Sequence, residues 1–127
     1  MKQILIDTNI IIDYTNGKDR FLQKLFKLQE QCEVELLVNP IIVSEFFTDI
    51  NLQDGFKMSR AKDLFKLFTH SDITCKMGYK AADYLRSGQI LSLPDALLAA
   101  FCIEKNIFLA TRNNKHFNKI RGLEFYH

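Results

Sequence analysis

The stretch Ile4-Leu5-Ile6 constrains the fold more than any other part of the chain. An unbroken apolar run this short, stopped abruptly by Asp7, is the pattern of a strand buried on both faces of a parallel sheet. Thr8 and Asn9 then offer capping side chains to a following helix. Open α/β sheets gather their ligands at the carboxyl ends of strands, where Asp7 stands. Opening a turn explains Asp7 equally well from this stretch alone. The choice rests on whether other carboxylates converge on it.

Strand and helix signals alternate along the rest of the chain. Thr8–Tyr14 reads as helical up to the break at Thr15-Asn16-Gly17, and Phe21, Leu22, Leu25, Leu28 and Cys32 recur at helical spacing. Val34–Val38 reads as a second strand. Asn39 and Pro40 then cap and open a helix expected to run through Ile42, Phe46 and Ile50 to about Asn51. After the turn signal Asp54-Gly55, an amphipathic segment sets Ala61, Leu64, Phe65 and Phe68 against Lys57, Arg60, Lys62 and Lys66. A short strand is expected in Ser71–Thr74, then a helix marked by Met77, Ala81, Tyr84 and Leu85 that ends near Gly88.

Ser92-Leu93-Pro94-Asp95 opens a helix that is apolar almost all round from Ala96 to Ile103, as expected of one covered on more than one side. Ile107–Ala110 is a further buried strand, stopping at Thr111-Arg112-Asn113-Asn114, and a last strand is expected within Leu123–Tyr126. No internal repeat, low-complexity tract or linker interrupts the pattern. Residues 1–127 are expected to form a single α/β domain with a mainly parallel central sheet.

Composition narrows the function classes. The net charge of +2 permits nucleic-acid contact without demanding it. Cys32, Cys75 and Cys102 are odd in number and show no C-x-x-C spacing, which argues against a disulfide framework or a zinc knuckle and for buried, reduced thiols. No run is apolar for long enough to cross a bilayer and no secretory signal opens the chain, so no membrane association and a cytoplasmic setting are expected.

Three carboxylates interrupt otherwise apolar surroundings. Asp7 ends the first strand, Glu45 sits beside Phe46 on the helix opened by Pro40, and Asp95 lies in the first turn of the most hydrophobic helix. Asn113 adds a neutral oxygen donor after a late strand. Singly, each has an ordinary explanation; Asp95, for instance, complements the helix dipole by about 0.3–1 kcal/mol. Together they are harder to dismiss, because a parallel sheet brings strand ends and helix starts to one edge. Two bare carboxylates about 4 Å apart repel by roughly 4 kcal/mol at an effective dielectric near 20. A divalent cation removes that repulsion. Oxygen ligands with no His or Cys nearby suit Mg²⁺ or Mn²⁺ better than zinc, and a water on such an ion is a ready nucleophile for a phosphodiester.

Four stretches together carry a specific likeness. They are Ile6-Asp7-Thr8-Asn9-Ile10, Ser44-Glu45, the run from Gly88 through Leu93-Pro94-Asp95-Ala96-Leu97-Leu98-Ala99-Ala100, and Leu109-Ala110-Thr111-Arg112-Asn113-Asn114-Lys115-His116-Phe117. In this order, across nearly the whole chain, they resemble the PIN-domain family, most closely the VapC-like toxins of toxin–antitoxin pairs. The resemblance implies a three-layer α/β/α domain acting as a Mg²⁺- or Mn²⁺-dependent endoribonuclease, with in-line attack by a metal-activated water on RNA. Asp7 and Asp95 are implied as the main metal ligands, and Glu45 as the outer carboxylate or general base that orients the water. Asn113 stands where many members carry an acid, which leaves one less negative charge for a second ion. Thr111 matches a hydroxyl near the metal waters.

Arg112 and Lys115 are expected nearest the RNA, with the lysine-rich helix face around Lys57 and Arg60 as a further candidate or simply a solvated surface. His116 is a candidate general base, but packing or hydrogen-bonding beside Phe117 is the expected role. The family also implies a homodimer and a small cognate antitoxin that covers the acidic groove, here expected on an apolar surface around Phe21, Leu25 and Phe26. Two other readings remain open: a non-enzymatic PIN-like module that binds RNA or a protein, and a phosphatase with an aspartyl nucleophile. The phosphatase fits less well, since Asn9 occupies its second acid position.

Overall fold

The computed structural model describes residues 1–127. Its core is a four-stranded, wholly parallel sheet in the order β3-β2-β1-β4, formed by β1 (Lys2–Ile6), β2 (Val34–Val38), β3 (Thr69–His70) and β4 (Phe108–Ala110). Ile4, Leu5 and Ile6 are each 0% exposed, so helices cover both faces of β1 and give the three-layer α/β/α arrangement. The chain moves outward from β1 to β2 and β3, then crosses back to place β4 on the other side of β1. That reversal makes the carboxyl ends of β1 and β4 the switch point of the sheet, where a crevice opens between diverging connections.

The helices are α1 (Thr8–Thr15), α2 (Phe21–Glu30), α3 (Pro40–Phe47), α4 (Gly55–Phe65), α5 (Cys75–Arg86) and α6 (Leu93–Lys105). Asn39 accepts from the backbone N–H groups of Ile41 and Ile42 and Ser92 from that of Asp95, each ahead of a proline in the first turn. As its composition requires, α6 is buried on several sides, at Ala96, Leu98, Ala99, Ala100, Phe101 and Cys102.

Several boundaries differ from expectation, each for a local reason. α3 ends at Phe47 rather than near Asn51, because Asp49 turns its carboxylate onto the Asn51 N–H and starts a separate 3-10 turn over Ile50–Gln53. Asp54-Gly55 is not a free turn but the cap and first residue of α4. The third strand lies at Thr69–His70, ahead of Ser71–Thr74, since Thr74 is committed to capping α5. Leu123–Tyr126 forms no full strand; it makes one bridge at Phe125, with Leu109 N–H donating to Glu124 O and Tyr126 N–H to Leu109 O, both at 2.9 Å. Only Cys102 is buried. Cys32, in a left-handed turn (φ 59°) after α2, and Cys75, opening α5, are exposed.

The apolar surface expected around Phe21, Leu25 and Phe26 is not a free face. Leu25 is in the core, Phe26 packs edge-on to Tyr14 and tilted against Phe68, and Phe21 lies beneath the Arg112 guanidinium. No helix is long and apolar enough to cross a membrane.

Candidate active site

The switch-point crevice is built first from backbone. Asp7 N–H donates to Ala110 O at 2.9 Å, tying the ends of β1 and β4 together, and Ile10 N–H donates to Asp7 O as α1 begins. The cap of α1 is Asp7 itself, not Thr8 or Asn9: its Oδ1 accepts from Thr8 N–H at 2.7 Å. Thr8 and Asn9 are thereby free for other work. Thr8 Oγ1 donates to Glu45 Oε1 at 3.0 Å, and Asn9 joins Asp7 Oδ2 through its amide at 3.4 Å while its Oδ1 accepts from Arg112 N–H. Both residues belong to the site, and their adjacency to Asp7 was the available signal.

Asp7 is 6% exposed. Burial pushes its carboxyl above the ordinary carboxylate value, and the charges of Asp95 and Glu45 push it further the same way; the hydrogen bonds from Thr111 and the Thr8 N–H pull it back. The strongest of these is the Thr111 hydroxyl on Asp7 Oδ2, at 2.7 Å. Thr111 also accepts from Asn113 N–H at 3.1 Å, so one hydroxyl links the carboxylate to the loop after β4. Cys102, buried behind Asp7 on α6, has its thiol pushed far up by burial and by the Asp7 charge, which leaves it inert.

Asp95 stands across the crevice on the first turn of α6, its backbone N–H donating to Ser92 Oγ at 3.2 Å. Its Oδ2 lies 3.2 Å from His116 Nδ1. Sequence alone offered His116 as a general base or a packing residue beside Phe117 and did not foresee Asp95 as its partner. The contact arises because the 3-10 turn Asn114–Phe117 buries Phe117 and swings the preceding residue outward over α6. Asn113, exposed, joins the network through its backbone N–H rather than its side chain.

Arg112 and Lys115 divide. The Arg112 guanidinium is engaged inward, with Nε on Asp13 at 3.1 Å and Nη2 on Asp19, over the ring of Phe21. Asp19 is held below the ordinary carboxylate range by the Phe21 N–H first and by Arg112 as well. Lys115 is exposed beside the crevice. The lysine-rich face of α4 lies elsewhere: Lys62 and Lys66, with Val43, Phe47, Met58, Phe65 and His70, line a separate cleft of about 470 Å³ between α3 and α4.

The donors at the switch point suit a hard divalent cation. Burial raises the Asp7 carboxyl most, and the charges of Asp95 and Glu45 add to it; a cation among them would offset both. No three His, Cys, Asp or Glu side chains close into a ready-made cage. Mg²⁺ and Mn²⁺ do not need one, because such ions are held by one or two carboxylates and keep several waters.

A sequence model described as the PIN domain matches residues 4–123. No curated protein matches the chain. Among solved structures, the chain is similar to a toxin–antitoxin complex from Klebsiella pneumoniae, at 27% identity and TM-score 0.75 over 94% of each chain. It is similar to VapBC2 from Rickettsia felis bound to a promoter DNA fragment, at 21% identity and TM-score 0.77 over 98% of this chain and 97% of that one. DNA-bound VapBC from Salmonella typhimurium superposes with TM-score 0.81 at 17% identity, over 99% of this chain and 98% of that one.

Proposed function

The chain belongs to the PIN-domain family, and on that premise we propose that it is a VapC-like endoribonuclease that hydrolyses RNA with Mg²⁺ or Mn²⁺. The observation that carries this reading is the carboxylate of Asp7 sealed at the switch point, its pKa raised first by burial and then by the charges of Asp95 and Glu45. Such an arrangement opposes its own ionisation unless a cation joins it.

Asp7 and Asp95 are the residues that would hold the ion, with Glu45 beyond them. When bound, the ion supplies acidified water and charge neutralisation at a phosphodiester. The chain does the positioning. Thr8 and Thr111 fix the carboxylates of Glu45 and Asp7 with hydroxyl donors, so both face the crevice in one rotamer. Glu45, on the exposed side of α3, keeps Oε2 free to accept a proton from the attacking water and hold it in line. Lys115 supplies a phosphate contact at the rim. A cognate antitoxin belongs to the same proposal, supported by the likeness to a toxin–antitoxin complex at 27% identity, and a homodimer is proposed with it from the family resemblance alone.

The test is cleavage of a mixed cellular RNA pool by purified protein with Mg²⁺, Mn²⁺ or EDTA, beside Asp95→Asn prepared identically. Discrete products that need the ion and vanish in the variant are the expected result. Identical traces for both proteins, after any bound antitoxin is stripped, leave the non-enzymatic binding module as the reading.

A further inference from the structure

Arg112 grips α1 at two points one turn apart. Asn9 and Asp13 are four residues apart on α1 and so share a face of the helix. The Arg112 backbone N–H donates to Asn9 Oδ1 at 3.2 Å, and its Nε donates to Asp13 Oδ2 at 3.1 Å. The other arm of the guanidinium, Nη2, donates to Asp19 Oδ2, and the group sits over the Phe21 ring. Asp19 is itself fixed, its Oδ1 accepting from Phe21 N–H at 2.8 Å. An isolated surface ion pair holds little, but a planar fork shared by two carboxylates and seated on a ring has one position.

This anchor bears on the acidic crevice through the loop that carries it. Past Ala110 the chain leaves the sheet, and two successive N–H groups then bond to side chains, Arg112 to Asn9 and Asn113 to Thr111. Both neutral side-chain donors on Asp7 Oδ2 depend on that loop. Thr111 belongs to it and donates at 2.7 Å. Asn9 gives its oxygen to Arg112 N–H, which leaves its amide nitrogen to face Asp7 at 3.4 Å.

We propose that Arg112 is a positioning residue of the crevice, its guanidinium holding the Thr111–Asn113 loop where Thr111 and Asn9 meet Asp7. The inference rests on the metal-dependent nuclease reading above. In this role Arg112 touches neither the ion nor RNA and acts through the two donors. A residue that only stapled α1 to the connection leading into α2 would add stability and leave turnover alone.

The experiment compares the full wild-type chain with Arg112→Gln, Arg112→Lys and Asp19→Asn, each held well below its melting temperature. The kcat and KM of RNA cleavage are read beside Mn²⁺ affinity, followed through the free aquo ion by electron paramagnetic resonance. Arg112→Gln is expected to lose about tenfold in kcat and in Mn²⁺ affinity, with KM unchanged. Asp19→Asn should move both the same way by less. Arg112→Lys keeps the charge but not the fork, and should fall between wild type and Arg112→Gln. Adding Thr111→Val to Arg112→Gln should cost less than the product of the separate losses, because both act on Asp7 Oδ2. Glu104→Gln, which breaks the Lys76 and Lys80 pairs between α5 and α6, is the stability control, with kcat and affinity intact.

A lower melting temperature alone in Arg112→Gln and Asp19→Asn, as in the control, overturns the inference. So does a raised KM with kcat unchanged, which marks a phosphate contact instead. Should Arg112→Gln fail to fold, Asp19→Asn decides by itself. A wild type that neither cleaves RNA nor binds Mn²⁺ removes the metal-dependent reading and the inference together.

Discussion

Asp7 and Asp95 face the same crevice and are held in opposite ways. Asp7 is sealed at the end of β1, 6% exposed, with donors from Thr8, Asn9 and Thr111 on its two oxygens. The side chain of Asp95 is 24% exposed and contacts only His116. One carboxylate is fixed by the sheet and the other stays adjustable on a helix start. On the proposed reading, the sealed acid would define where an ion sits and the more exposed Asp95 would follow it. Sites assembled this way keep geometry and tolerance in separate elements.

The sharpest way to break that comparison is to neutralise each acid in turn. Asp7→Asn and Asp95→Asn are both expected to lose RNA cleavage by more than about 100-fold, measured with excess Mn²⁺. Recovery at high metal in Asp7→Asn but not in Asp95→Asn would reverse the assignment of the rigid anchor.

Next in size is Thr111→Val, which keeps shape but removes the hydroxyl donor 2.7 Å from Asp7 Oδ2. Leaving that oxygen short of a partner is expected to cost about 1–3 kcal/mol by denaturant unfolding. It should also cost about 10–100-fold in activity. A loss confined to stability would make Thr111 a fold residue only.

Asp7 should also set a pH dependence of stability in the metal-free protein. The folded state binds the Asp7 proton more tightly than the unfolded chain, whose value is near 3.8. Stability contributed by this group is therefore highest in acid, falls as pH rises from 3.8 through its raised folded value, and stays reduced above it. Asp7→Asn is expected to melt higher than wild type at neutral pH, with the gap closing in acid. Asp95→Asn removes one of the charges that raise the Asp7 carboxyl, so a smaller gain at neutral pH is expected there, and no gain at all would mean that the Asp95 charge does not reach Asp7.

The smallest effects concern the rim. Arg112→Gln breaks the contacts with Asp13 and Asp19 and should lower the melting temperature slightly while leaving the salt dependence of RNA binding unchanged. Lys115→Ala should reduce that salt slope by about one. The opposite result would restore Arg112 as the phosphate contact.

The legibility of the chain followed the range of the interaction involved. Ile4-Leu5-Ile6, the Asn39-Pro40 and Ser92–Pro94 helix starts and the apolar length of α6 are local patterns, and each is found where expected. Boundaries were misplaced where a single side chain competes with the backbone, as Asp49 does after α3 and Thr74 before α5. In the site, Asp7 was legible because it stops a strand, but its donors were not all recognised: Thr8 and Asn9 looked like caps until Asp7 took that role.

By itself, the sequence determined a parallel α/β domain with acids at one sheet edge, because hydrophobic period and capping chemistry act over a few residues. Only the tertiary structure decided that β4 lies beside β1, bringing Thr111 to Asp7 across 104 positions. It also set His116 on Asp95 and turned Arg112 inward to Asp13 and Asp19. Such contacts depend on strand order and on which neighbour reaches a charge first. No local pattern encodes either.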